Sequence, residues 1–143
     1  MNTQTTPQLI EQLRAAYALQ RVQGSCADSN VKNSELKSYI KRLPAMVQMN
    51  GLGQALAFYK AKSDNSAYAA VYDLASDWLC GLDRHSNHPK PVYGGHKTVL
   101  DGITQEDQQK YQIAQAELQA LLLWAKKFAD AFLNDDDADK AGS

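Results

Sequence analysis

Four side chains of this 143-residue chain have the types that bind zinc: Cys80, His85, His88 and His96, with His85-x-x-His88 at a usable ligand interval. They fall in a stretch rich in glycine and proline, with no second cysteine near Cys80, where histidines are more often solvated than ligating. The acidic run Asp135-Asp136-Asp137-Ala138-Asp139 lacks the glycine and the distal glutamate of a calcium loop. Asn50-Gly51-Leu52-Gly53-Gln54 has the glycines of a phosphate loop, but neither its lysine nor a third glycine, and it follows a helical pattern instead of a strand. Two glycines there serve a sharp turn and close helix approach. No serine, histidine and aspartate set stands out as a nucleophilic triad, and no carboxylate pair looks poised for acid–base work. Cys26 and Cys80 fit no redox or metal spacing and read as reduced structural thiols. The sequence therefore predicts no enzyme, no cofactor and no metal site.

What remains is binding. Lys37 and Lys41 stand one helical turn apart, Arg42 projects from another side, and Lys126 and Lys127 lie near the end of the last helical run. Cations there complement the helix dipole. Such residues are solvated surface charges or contacts to phosphates, which Lys and Arg read without sequence preference. The net charge of −1 conceals an asymmetry: residues 134–143 carry four aspartates against one lysine, which leaves the rest of the chain at +2. A local basic face is compatible with that balance; a strongly basic domain is not.

Helical periodicity dominates the elements that would carry these residues, and no segment alternates like a half-buried strand. Pro7 fits the first turn of a helix ended by Gly24, followed by a loop to Asn33. Ser34 can cap the next helix, in which Leu36, Tyr39, Ile40, Leu43 and Val47 recur at helical spacing and Pro44 should kink or split the run. Asn50-Gly51 breaks it before a helix over 52–62, and Ser66 can cap another from about Ala67 to Leu79. Residues 81–103 read as an irregular, insertion-like loop. Thr104 with Asp107 resembles a capping box opening a long helix that runs to about Leu133, roughly 43 Å. The expectation is an all-α, compact bundle of about five to six helices with a long C-terminal helix. It forms one domain over 1–133, with an acidic, disordered tail over 134–143.

That last helix has two apolar faces. Tyr111, Ala114, Leu118, Leu121, Leu122, Ala125, Phe128, Ala129 and Phe132 form a core stripe, while Ile113, Ala116, Ala120 and Leu123 lie nearly opposite. Such a helix is either centrally buried or pressed against a partner, and central burial is hard to arrange in so small a bundle. The four opposite residues are the candidate subunit interface. No run is apolar for long enough to span a bilayer, and Met1 to Gln8 is polar and uncharged, so the expected compartment is the cytoplasm.

The run Tyr39-Ile40-Lys41-Arg42-Leu43-Pro44-Ala45-Met46-Val47-Gln48-Met49-Asn50-Gly51-Leu52-Gly53-Gln54-Ala55-Leu56-Ala57-Phe58 resembles a family signature. So do Leu121-Leu122-Leu123-Trp124-Ala125-Lys126-Lys127-Phe128-Ala129 and Val71-Tyr72-Asp73-Leu74-Ala75-Ser76-Asp77-Trp78-Leu79. The family is the small subunit of the type III-B CRISPR effector, the Cmr complex. The likeness covers about residues 8 to 133, and leucine-proline followed by asparagine-glycine-leucine-glycine is its specific part. Residues 81–103 and the tail carry no family signature.

The resemblance implies an all-α, non-catalytic subunit of an RNA-guided, RNA-targeting antiviral complex. Copies of it would stack into a short filament beside the backbone RAMP subunits that hold the guide RNA, one end meeting the large polymerase-like subunit. Target RNA would pass between the filaments. In that frame the second face of the last helix is a packing surface, and Lys37, Lys41, Arg42, Lys126 and Lys127 are RNA-contact candidates. The competing expectations are the small subunit of the related type III-A complex and a free-standing helical interaction module.

Overall fold

A computed structural model describes residues 6–83, 88 and 90–133, and among these every regular element is an α-helix. The helices are α1 (Thr6–Ala27), α2 (Asn33–Asn50), α3 (Leu52–Ala61), α4 (Ser66–Cys80), α5 (Val99–Gln105) and α6 (Gln108–Phe132). The expected tail over 134–143 lies outside the described residues. No helix among the described residues is long and apolar enough to cross a membrane.

The stripe foreseen on α6 is the seam of the bundle. Ala114, Leu118, Leu121, Leu122, Ala125 and Ala129 are fully buried, against α1 on one side and α2 on the other; Phe132, at the helix end, is 46% exposed. Partners along α2 and into the start of α3 climb as those on α6 descend: Lys41 with Asp130, the Pro44 carbonyl with Gln119, the Leu52 amide with Gln115. The two helices therefore run antiparallel. Trp78 and Tyr17 meet at the centre with ring centroids 4.8 Å apart, and the buried Tyr17 hydroxyl donates to the Leu74 carbonyl at 2.7 Å.

Several boundaries differ from the sequence expectation, each for a local reason. α1 continues through Gly24, because an exposed helical glycine costs only about 1 kcal/mol and Val22 and Cys26 still pack on the core beside it. α2 begins at Asn33 without a side-chain cap, so Ser34 lies inside the helix instead of preceding it. Pro44 does not split α2: the fully buried Ile40, Leu43 and Val47 anchor the helix on both sides of it. Asn65, not Ser66, caps α4, its Oδ1 accepting from the amides of Ala67 and Tyr68 at 2.8 and 3.2 Å.

The stretch expected to be irregular over 81–103 ends in α5, which begins at Val99 and runs on to Gln105. Thr98 caps that short helix, and the Val99 amide donates to the buried Ser76 hydroxyl at 2.9 Å. The buried Tyr93 ring lies so close to Gly102 that a Cβ there would collide with it. α5 owes its place to these tertiary contacts more than to any periodic signal of its own. Asp107, not Thr104, caps α6, accepting from the Lys110 amide at 2.9 Å, while the Thr104 hydroxyl donates back to the Leu100 carbonyl.

Candidate functional site

The unusual surface of this bundle is the far side of α6. Ile113 is 52% and Leu123 66% exposed, with Ala116 exposed and Ala120 half-buried on the same side. The second apolar face is thus not a second core. Between α6 and α2 runs an open groove lined by Ala45, Gln48, Ala116, Gln119, Ala120 and Leu123. Small side chains keep its floor low, and glutamines on its walls can hydrogen-bond without carrying charge. Such a groove accepts an apolar ridge from another helix.

α2 and α3 owe their junction to α6. Gly51 has φ 90° and ψ 158°, a conformation open essentially to glycine alone, and lets one helix end and the next begin with no linker. No side chain at Gly51 can cap α3. Its first amides are met instead from α6, where the Gln115 Oε1 accepts from Leu52 at 3.0 Å and the Tyr111 hydroxyl from Gly53 at 2.9 Å. The asparagine-glycine-leucine-glycine signature is this turn.

The five cations foreseen as RNA contacts do not share one patch. Lys37 is only 9% exposed; its Nζ lies 3.5 Å from the Leu133 carbonyl and 3.8 Å from Asp130. Lys41 reaches Asp130 at 2.8 Å, and this hydrogen bond, with the charges of Lys41 and Lys37, holds the Asp130 carboxyl below the usual carboxylate range. These two lysines stitch α2 to the end of α6. Arg42 turns the other way, donating to the Tyr68 hydroxyl at 2.9 Å with its guanidinium 5.1 Å above the Tyr39 ring. Lys126 borders the α2–α6 groove and Lys127 is exposed.

Three of the four potential zinc donors fall among the described residues and are engaged in other tasks. Burial pushes the Cys80 thiol up to about 11, away from thiolate. The His88 ring packs 4.3 Å from Trp78, and burial lowers its pKa. His96 Nε2 stands 2.8 Å from Glu106. His85 lies outside the described residues, among which no group of three His, Cys, Asp or Glu side chains is placed to hold a metal ion.

Two arrangements escape sequence reading. One is a partly buried network in which Arg14 donates twice to Glu117, both at 2.8 Å, and the Trp78 indole donates to the same carboxylate at 2.9 Å. It ties α1, α4 and α6 together. The other is a strip of rings from three helices: Tyr39 and Tyr68 stacked with centroids 3.8 Å apart, and Phe58 edge-on to Tyr68 at 6.0 Å. Only the Tyr39 to Arg42 spacing hints at it in the sequence; the rest is long-range.

The sequence model of a family described as CRISPR-associated protein (Cas_Cmr5) matches residues 10–132, which is most of the chain and includes every helix but the first turn of α1.

Proposed function

Because the chain belongs to the Cas_Cmr5 family, the small subunits of the type III-B CRISPR Cmr complex, we propose that it is a non-catalytic scaffold that stacks on copies of itself and lines the RNA path. The observation that carries this reading is the exposed apolar face of α6. A half-exposed isoleucine and a two-thirds-exposed leucine, the latter lining the α2–α6 groove, cost solubility in a lone chain and gain energy once a neighbour covers them. In this reading the neighbours are another copy of the chain, the backbone RAMP subunits and the large polymerase-like subunit, with guide and target RNA held by the assembly in the cytoplasm. The solvent-accessible cations Lys41, Arg42, Lys126 and Lys127 face the RNA, whereas Lys37 serves the fold. The family match favours this reading over a type III-A small subunit or a free-standing module.

Leu123→Asp tests it. The substitution leaves the isolated chain folded, because the side chain touches solvent, but it sets an unpaired carboxylate in the contact. Association with the other Cmr subunits should fall by roughly a hundredfold or more in a reconstitution read by size-exclusion chromatography. Normal assembly of a folded Leu123→Asp chain would remove the scaffold reading from this face; an unfolded one would make the position core.

A further inference from the structure

We propose that the aromatic strip formed by Tyr39, Phe58 and Tyr68, with Arg42 and Lys62 at its ends, is a stacking platform for bases of single-stranded RNA. The inference rests on the RNA-lining reading and says which surface does the work. The strip is ordered across three helices. Arg42 stands over Tyr39 at 5.1 Å, Tyr39 stacks on Tyr68, Tyr68 meets Phe58 edge-on, and the Lys62 ammonium lies 5.6 Å from the Phe58 centroid. Arg42, Phe58 and Lys62 are exposed and the two tyrosines half-buried.

Rings that only filled a core would be closed over by apolar neighbours; here both ends of the row carry a cation instead. That pairing, an exposed Phe58 ring for a base and cations for the phosphates that flank it, is the chemistry by which single strands are held without sequence preference. A duplex hides its bases and would gain only the two charges. Glu35 and Asp64 are the acidic residues of the neighbouring α2 start and α3–α4 turn. Asn65 donates to Glu35 at 3.2 Å, and the charge of Glu35 is felt at Tyr39. A protein helix would find little purchase, since the strip carries a cation at each end and is not a groove.

The test uses the purified full chain and a short fluorescein-labelled oligouridylate, titrated by anisotropy at two salt concentrations, with duplex RNA of equal length beside it. Wild type should prefer the single strand. Phe58→Leu keeps bulk and removes the π-face; affinity should drop roughly tenfold with an unchanged salt slope. Arg42→Gln with Lys62→Gln should weaken binding and reduce the slope by about 0.7 for each cation removed. Lys90→Gln with Lys97→Gln, two exposed lysines outside the strip and outside the cations assigned to RNA, is the control for net charge.

Wild-type binding untouched by the strip variants, or lowered equally by the control pair, overturns the platform while leaving the RNA-lining reading intact. Absence of any wild-type binding, in the chain and in the assembled complex alike, overturns both. Strip variants that fold and bind RNA normally but fail to join the complex would make the strip a protein contact, and the proposal falls.

Discussion

Gly51→Ala is expected to lower stability by roughly 2–4 kcal/mol, from backbone strain plus a collision. At φ 90° and ψ 158° an alanine has no unstrained place, and its Cβ would lie 2.9 Å from the Tyr111 hydroxyl that caps α3. The melting temperature should fall by about 10 °C, which thermal unfolding followed by circular dichroism will read. Gly53→Ala is the matched control. Gly53 is helical, its Cβ would meet nothing nearer than 3.6 Å, and the change should be neutral or stabilising by up to about 1 kcal/mol. Combining Gly51→Ala with Tyr111→Phe should relieve the collision but not the strain, and it also takes away the acceptor of the Gly53 amide. Equal melting temperatures for Gly51→Ala and wild type would show that the turn is not under this constraint.

The second large effect belongs to Glu117. Its carboxylate receives two hydrogen bonds from Arg14 and one from the indole of the fully buried Trp78. Glu117→Ala leaves a guanidinium only 14% accessible with Glu11 as its remaining acceptor, and a buried indole N–H with its acceptor gone, so the loss should be about 2–3 kcal/mol. Glu117→Gln keeps the shape, gives up the charge, and should lose less. Burial pushes the Glu117 carboxyl up, but hydrogen bonds from Arg14 and Trp78 outweigh it, and the folded pKa ends below the ordinary value. The stabilisation is therefore complete above the unfolded glutamate pKa, about 4.3, and is lost as the pH falls through the lower folded value. Urea unfolding of wild type and Glu117→Gln should differ most near neutrality and converge in acid. A difference that stays constant down the acid limb would mean the carboxylate charge is not what the network holds.

Much of the fold was legible, and the reason is periodicity. α2, α3, α4 and α6 bury one face along most of their length, so their apolar spacing survives in the sequence, and the opposite face of α6 stood out because Ile113 and Leu123 break the polar side. The ends of helices were harder. Ser34, Ser66 and Thr104 each have a neighbour of equal capping chemistry or a start shifted by a residue or more, and spacing alone does not choose between Asn65 and Ser66. α5 stayed hidden because seven residues carry no period, and Thr98 with Asp101 was the faint signal for it. The site divides the same way. Local placement of Lys37, Lys41 and Arg42 on different sides of α2 was readable. That Asp130, 89 positions away, draws in Lys41, or that Tyr39, Phe58 and Tyr68 converge, depends on how the helices pack.

The start of α3 is completed by Tyr111 and Gln115, and both belong to α6, which is synthesised after α1 to α5. Synthesis therefore cannot finish the bundle piecemeal: α1 to α4 emerge with their common seam absent and one helix start unmet. A nascent chain stopped at Asp107 should stay as open to protease as an unfolded one, then close in a single step once α6 is released. A premature stop in that helix should therefore yield a fragment whose core lacks its seam, open to protease and prone to aggregate.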